Sequence, residues 1–129
     1  MINYNAAALR HSFDQTDDQA IWLPGHPHKQ RIKLSEVLYI AGFGNYVTFH
    51  LVDRTTIVVA YTLSSYASLP GFLRIHKSSF VNIRYVASIR SNGRNDGRAL
   101  LNNGVELSIS RRRIEDVMTT IRSDVAIGT

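Results

Sequence analysis

The sequence predicts a mostly β fold, in which small antiparallel sheets stack as a sandwich and two short helices accompany them. Apolar residues rich in β-branched and aromatic types come in short runs that turn residues separate. The pattern contains no internal repeat and no strand–helix–strand alternation, so a parallel sheet is not expected. With 129 residues, of which 44% are hydrophobic and 19% charged, the chain is globular and long enough for one domain.

The predicted strands of the first half lie at residues 20–23, 38–41, 46–52 and 55–61. Residues 42–45 form the turn of a hairpin between the second and third strands, since glycine and asparagine favour tight turns. A short helix is expected at 63–69, with Thr62 or Ser64 as its cap and Pro70-Gly71 at its end.

In the second half, strand-like segments lie at residues 82–89, 99–101 and 105–109. The strongest turn cluster, 91–97, separates the first two segments, and Asn103-Gly104 marks a hairpin between the last two. A terminal helix follows, because apolar side chains recur at helical spacing at Ile114, Val117, Met118 and Ile121. Ser110 is the predicted N-cap of this helix.

The domain is predicted to span residues 20–124, between an N-terminal tail or loosely docked segment at 1–19 and a C-terminal tail at 125–129. The first residues show no signal-peptide pattern, and no stretch of about 18 consecutive apolar residues occurs. The chain contains no cysteine, which excludes disulfides and cysteine-ligated zinc. A cytoplasmic location is the resulting expectation.

The positive charge of the chain lies in its second half. The net charge is +5 and the pI is near 9.9, and residues 72–113 hold nine Lys or Arg against two acids, Asp96 and Glu106. Such a distribution suits association with nucleic acid or an anionic membrane surface. A solvated arginine-rich surface would have the same composition.

Two short segments carry most of the functional signal. His76-Lys77-Ser78-Ser79 is a polar island between apolar residues, and its cationic and hydroxyl groups suit phosphate oxygens and base edges. Arg111, Arg112 and Arg113 fall near the first turn of the predicted terminal helix, where the macrodipole disfavours each exposed cation by roughly 0.3–1 kcal/mol. A polyanion opposite these arginines would explain their position.

The order of these segments resembles the LytTR DNA-binding domain of bacterial transcription regulators. The resemblance runs from about Ile21 to Ile121 and is carried by Leu38-Tyr39-Ile40, Gly44-Asn45-Tyr46-Val47, the run 72–78, Val81-Asn82 and Ser110-Arg111-Arg112. It implies an elongated stack of small antiparallel β-sheets with one or two short α-helices. It also implies sequence-specific binding of duplex DNA through loops that enter successive major grooves on one face.

Carried over position by position, the DNA-contacting loops of the family fall on Asn45, Tyr46, His76, Lys77, Ser78, Ser79, Arg111, Arg112 and Arg113. Arg112 is predicted to read a guanine edge, because a guanidinium can make a bidentate pair there. Lys77 is predicted mainly to bind phosphate, as are Ser78 and Ser79 unless they only shape the turn. His76 either contacts DNA or shapes its loop, and Asn82 is expected to be structural.

The resemblance also bears on partners and regulation. Ala41 stands where many family members carry an acidic residue, and the chain has no room for the receiver domain that usually precedes this domain. The input is therefore expected from a regulatory protein partner, such as a membrane-bound one, or from abundance alone. Two copies are expected on tandem sites in promoter DNA, since three short loops specify only a few base pairs.

Other functions fit the sequence less well. Ser78 or Ser79 with His76 and Asp96 would supply the residue types of a catalytic triad. A nucleophile two or three residues from its base along one strand does not suit triad geometry, so no enzyme is predicted. His26 and His28 lie on a proline-broken loop without a nearby carboxylate, so no metal or other cofactor is predicted. A protein-interaction or anionic-surface module using the same basic face is the alternative function.

Overall fold

The computed structural model describes residues 19–25, 28–91 and 97–128, with side chains described as far as Ile121. Within these ranges the strands are β1 (Ala20–Leu23), β2 (Gln30–Lys33), β3 (Val37–Phe43), β4 (Tyr46–Leu51), β5 (Thr56–Val59), β6 (Phe72–His76), β7 (Ser79–Asn82), β8 (Val86–Ser91), β9 (Gly97–Leu101) and β10 (Glu106–Ile109), and the α-helix α1 spans Ile114–Gly128. The mostly β prediction is confirmed. The predicted tail at 1–19 lies, except for Gln19, outside the described residues, and α1 continues across the predicted domain boundary at 124.

Antiparallel pairing arranges these strands in three sheets. The largest sheet has the strand order β5-β4-β3-β7-β6, and it is accompanied by the pair β1-β2 and by a three-stranded sheet of order β10-β9-β8. β4 illustrates why the sequence forms strands here. Val47, Phe49 and Leu51 are buried, and the residues between them point to the other face of the sheet.

Two apolar cores lie on opposite faces of the five-stranded sheet. Along β7, Phe80 belongs to the core shared with β1 and β2, whereas its neighbour Val81 belongs to the core shared with the three-stranded sheet and α1. Both side chains are almost completely buried, and burial of a side chain of this size contributes roughly 1.5–3 kcal/mol. The five-stranded sheet is therefore the middle layer of the stack, and the turns at its two ends remain exposed.

The helix predicted between Thr62 and Pro70 is a 3₁₀ turn at Leu63–Tyr66. Thr62 occupies its N-cap position, but the Thr62 hydroxyl shares hydrogen bonds with the hydroxyls of Ser64 and Ser65 at 3.1 and 3.3 Å and caps no backbone N–H. The predicted helix and its side-chain cap are thus wrong. Local pairing of hydroxyl side chains and the nearby proline favour a short turn over a regular helix.

The three arginines precede α1 and do not occupy its first turn. Arg111–Arg113 form a 3₁₀ turn, and α1 begins at Ile114 with Glu115 and Asp116 in its first turn. Acidic side chains suit the positive end of a helix dipole, which acts mainly within that turn. The arginines nevertheless lie in a turn that leads directly into the positive end of α1.

Candidate nucleic-acid interface

Two turns lie side by side at one end of the five-stranded sheet. β3 extends to Phe43, beyond the predicted strand, so that only Gly44 and Asn45 form the turn before β4. Gly44 has a φ of 60°, which glycine adopts without strain. The N–H of Gly42 donates to the carbonyl of Ser78 at 2.8 Å, and this bond ties the β3–β4 turn to the β6–β7 turn.

The arginine turn lies beside the same end of the sheet. The N–H of Ser110 donates to the carbonyl of Ile75, near the end of the edge strand β6, at 2.8 Å, and the N–H of Arg113 donates to the carbonyl of Ser110 at 2.9 Å. Ser110 occupies an N-cap position as predicted, but its side chain caps nothing, and its buried Oγ has no partner among the described residues. Backbone bonds, together with the burial of Ile109 and Ile114 in the core that contains Ile75, therefore position this turn next to the β6–β7 turn.

Side chains within the β6–β7 turn fix its conformation. Arg74 donates from Nε to the carbonyl of His76 at 3.2 Å and from Nη2 to the carbonyl of Lys77 at 2.7 Å. His76 Nδ1 lies 2.8 Å from Ser78 Oγ and accepts from the N–H of Ser78 at 3.2 Å. The Arg74 guanidinium also lies over the Phe80 ring, 5.4 Å from its centroid. His76 thus takes part in shaping the turn, and its contact with DNA stays a prediction.

Most of the predicted contact residues present their side chains to solvent. Asn45, Tyr46, Lys77, Arg111 and Arg112 are exposed, and His76, Ser78 and Arg113 are half-buried. Ser79 differs, because it is only 8% exposed and pairs with β3 inside the sheet. Its hydroxyl offers little surface to a phosphate group.

Asn82 is structural, as the sequence predicted. Its side chain is 4% exposed, and Nδ2 donates to the carbonyls of Leu34 and Val37 at 3.1 and 2.8 Å. These bonds lie at the end of the five-stranded sheet opposite the three exposed turns. Asn82 therefore anchors the start of β3 and takes no part in the candidate interface.

Sequence reasoning missed two residues at the interface end. Phe43 is 89% exposed, the highest value among the large hydrophobic side chains of the described residues. Arg74 is half-buried and organises the β6–β7 turn through its two donated bonds. The position of Phe43 directly before a glycine turn was the available signal, because a side chain at a hairpin tip has few neighbours to cover it.

The interface end carries more cations than acids, with Lys77 and the three arginines against Glu115 and Asp116 in the first turn of α1. Lys77, Arg111, Arg112 and Arg113 form no ion pair with any residue that the structure describes. Glu36 lies at the opposite end of the sheet, where its carbonyl accepts from the N–H of Val52. The four cations are therefore available to an anionic partner, and phosphate oxygens are suitable acceptors.

Alternative chemistry finds little support within the described residues. They contain no group of three His, Asp or Glu side chains that could hold a metal ion. His26 and Asp96, which figured in the metal and triad interpretations, lie outside them. No helix in the described ranges is long and apolar enough to cross a membrane.

The fold is similar to that of a solved structure, the LytTr DNA-binding domain of a protein described as a methyl-accepting/DNA response regulator from Bacillus cereus. The TM-score is 0.66 at 17% sequence identity, over 81% of this chain and 96% of the other. Among curated proteins, none matches the chain in sequence. The family model of the LytTr DNA-binding domain matches residues 29–122, which is most of the chain. The chain therefore belongs to the LytTr DNA-binding domain family, as its sequence motifs implied.

Proposed function

We propose that this protein is a transcription regulator that binds duplex DNA with sequence preference and reads the major groove through the three turns at one end of its five-stranded sheet. The observation that carries the proposal is the convergence of these turns, since the Gly42–Ser78 and Ser110–Ile75 backbone bonds both lie there. Membership of the LytTr family supports DNA as the partner. No comparison supports the alternative, a protein-interaction or anionic-surface module.

Arg112 and Lys77 have different proposed roles. Arg112 is exposed on a turn that backbone bonds hold in place, so its guanidinium can extend to the O6 and N7 atoms of guanine, a contact worth roughly 1–3 kcal/mol of discrimination. Lys77 is exposed on the β6–β7 turn, where Arg74 holds the Lys77 carbonyl. A compact ammonium group suits a phosphate oxygen, which carries no sequence information.

A selection of bound duplexes from a random pool at defined salt tests the proposal. We expect an enriched motif and a steep salt dependence. If about five phosphates are neutralised, the slope of log K against log salt should be near −4 to −5. A pool without an enriched motif, or a flat response between low and physiological salt, would reject the proposal.

Two variants separate base reading from phosphate binding. Arg112→Ala should weaken the preferred duplex and relax preference at one position, whereas Lys77→Ala should weaken preferred and random duplexes by similar factors. Arg54→Ala is the charge-matched control, because Arg54 is exposed in the β4–β5 turn at the opposite end of the five-stranded sheet. Equal losses on both duplexes for Arg112→Ala would show that the division of roles is wrong.

We further propose that two copies bind one regulatory site. The duplex would present half-sites a whole number of turns apart, at about 10–10.5 base pairs per turn, so that both copies lie on one face. An insertion of about five base pairs, half a helical turn, moves the second copy to the opposite face and should reduce cooperative binding. Unchanged affinity and stoichiometry would mean that the copies bind independently. A regulatory protein partner stays a prediction from the sequence.

A further inference from the structure

Phe43 is a large apolar side chain that the fold leaves in water. At 89% exposed it contributes almost nothing to either core. Single exposed apolar residues are common on protein surfaces, so exposure alone assigns no role to Phe43. More informative are the residue that pairs with Phe43 across the strands, the contacts that hold its hairpin in place, and the residues beside it on the surface.

Phe43 is one of two exposed aromatic residues at the same hairpin tip. It is in register with Tyr46 across β3 and β4, so the two side chains project from the same face of the hairpin. Tyr46 is 58% exposed. The next pair, Gly42 and Val47, belongs to the other face, where Val47 is fully buried in the core. The hairpin tip therefore exposes two aromatic rings to solvent, while buried residues such as Val47 anchor the strands that carry them.

Packing against the 3₁₀ turn and a backbone hydrogen bond hold the hairpin tip in place. A Cβ at Gly42 would lie 3.0 Å from Leu63 Cβ, so β3 packs directly on the 3₁₀ turn at this point. The N–H of Gly42 is bonded to the carbonyl of Ser78, as described above. Phe43 itself is the last residue of a regular strand. A partner that contacts Phe43 would therefore order little of the backbone on binding.

Phe43 also lies beside the cationic turn. An open groove of about 330 Å³ is lined by Gly42, Phe43, Gly44, Leu63, Lys77 and Ser78. A phosphate bound by Lys77 would bring the adjoining DNA groove within reach of the phenyl ring. In the major groove the C5-methyl group of thymine is the apolar group available to such a ring.

We infer that Phe43 contacts the C5-methyl group of a thymine in the major groove and adds a preference for that base next to those read by the three turns. The inference rests on the proposed DNA binding and deepens it. Phe43 lies outside the set of residues to which the family resemblance assigned a contact.

Replacement of thymidine by deoxyuridine, which lacks only this methyl group, provides the test. The probe is the duplex that the full chain enriches from the random pool, together with copies in which one thymidine at a time is replaced. One replacement should weaken wild-type binding by about threefold to fivefold, the effect of removing one buried methyl group. Phe43→Ala should bind the thymidine duplex at least that much more weakly and should be indifferent to the same replacement.

Val52→Ala is the matched control, because Val52 is an exposed apolar residue on the β4–β5 turn at the opposite end of the sheet. It should retain both wild-type affinity and wild-type sensitivity to deoxyuridine. Thermal unfolding of Phe43→Ala checks that the variant is folded, and the deoxyuridine series on the wild-type chain needs no variant. If no single replacement weakens wild-type binding, or if Phe43→Ala keeps the wild-type sensitivity, the inference is overturned while DNA binding stands. If the wild-type chain enriches no duplex, the proposed function itself fails.

Discussion

The two ends of the five-stranded sheet use the same kind of residue for different purposes. At one end, Asn82 is buried and bonds to the carbonyls of Leu34 and Val37. At the other end, Asn45 is exposed and forms no hydrogen bond with any described residue. A buried amide must find partners within the fold, whereas an exposed one keeps its donors and acceptor for a ligand. The structural Asn82 and the candidate contact Asn45 differ in burial and in hydrogen-bond partners. Neither property can be read from the sequence.

The turns at the two ends share a residue with positive φ, but they differ in how their polar side chains are engaged. Gly44, at the interface end, has a φ of 60°, and Arg54, in the β4–β5 turn at the opposite end, has a φ of 73°. The opposite end also contains Asp53, whose carboxylate accepts from the hydroxyl and the N–H of Thr55 at 2.6 and 2.9 Å. These Thr55 bonds lower the pKa of Asp53. Asp53 at that end is thus engaged with Thr55, while Lys77, Arg111 and Arg112 at the cationic end face solvent.

The largest expected effect contrasts the two asparagines. Asn82→Ala should lower the free energy of unfolding by about 2–4 kcal/mol, because it leaves two buried main-chain carbonyls without donors. Asn45→Ala should change that free energy by less than about 0.5 kcal/mol, since the side chain is exposed, but it should weaken binding to the enriched duplex. Urea unfolding and a binding titration of both variants provide the measurements. A loss of stability in Asn45→Ala as large as that in Asn82→Ala would contradict the division between the ends.

Sequence reasoning predicted the strands well where alternation is strong and turns are explicit. The β3–β4 hairpin and the β9–β10 hairpin were both found, because a glycine or an Asn-Gly pair interrupts two apolar runs. The β3 strand was predicted too short, since pairing with β4 draws Gly42 and Phe43 into the ladder despite their proximity to a glycine turn. Long-range pairing therefore overrode the local turn signal.

The convergence of three turns could not be read from local pattern. It depends on the placement of β7 beside β3 and on a backbone bond between residues 110 and 75, which are far apart in the sequence. The family resemblance supplied these segments as a set, and the fold explains why they meet. At Ser79 the family resemblance assigns a DNA contact to a residue that is nearly buried in this fold.

The second prediction concerns how the β6–β7 turn is held. Arg74→Ala should weaken binding to the enriched duplex by about tenfold, because the charged donor that fixes the carbonyls of His76 and Lys77 is lost. The chain should remain folded, since these bonds lie at the surface end of β6. A titration at constant salt measures the loss.

Arg54→Ala again removes one positive charge, at the opposite end of the sheet, and should weaken binding much less. If Arg74→Ala and Arg54→Ala weaken binding equally, Arg74 acts only through its charge, and the proposed ordering of the turn is incorrect.

The third prediction compares the two residues with positive φ. A Cβ at Gly44 would meet no atom within 4 Å, so Gly44→Ala should cost about 1 kcal/mol of stability through backbone conformation alone. Arg54→Gly should have the opposite sign and raise stability by up to about 1 kcal/mol, because glycine relieves the left-handed conformation at that position. Urea unfolding of both variants measures the two changes. Changes of the same sign would show that side-chain contacts, and not φ, govern these turns.

The smallest expected effect is a dependence of stability on pH. His50 stacks on Tyr39 with ring centroids 4.1 Å apart and planes inclined by 7°, and burial lowers the pKa of His50 below its ordinary value. As the pH falls below about 6.5, the unfolded chain therefore binds the proton more readily than the folded chain. The contribution of neutral His50 to stability is present above that pH and is lost as the pH falls further.

His50→Phe isolates this effect, because phenylalanine keeps an aromatic ring against Tyr39 and removes the titrating group. Between about pH 7.5 and 5.5, on either side of the ordinary histidine pKa, the free energy of unfolding should fall less in His50→Phe than in the wild type. An equal fall in both proteins would assign the acid sensitivity to other groups.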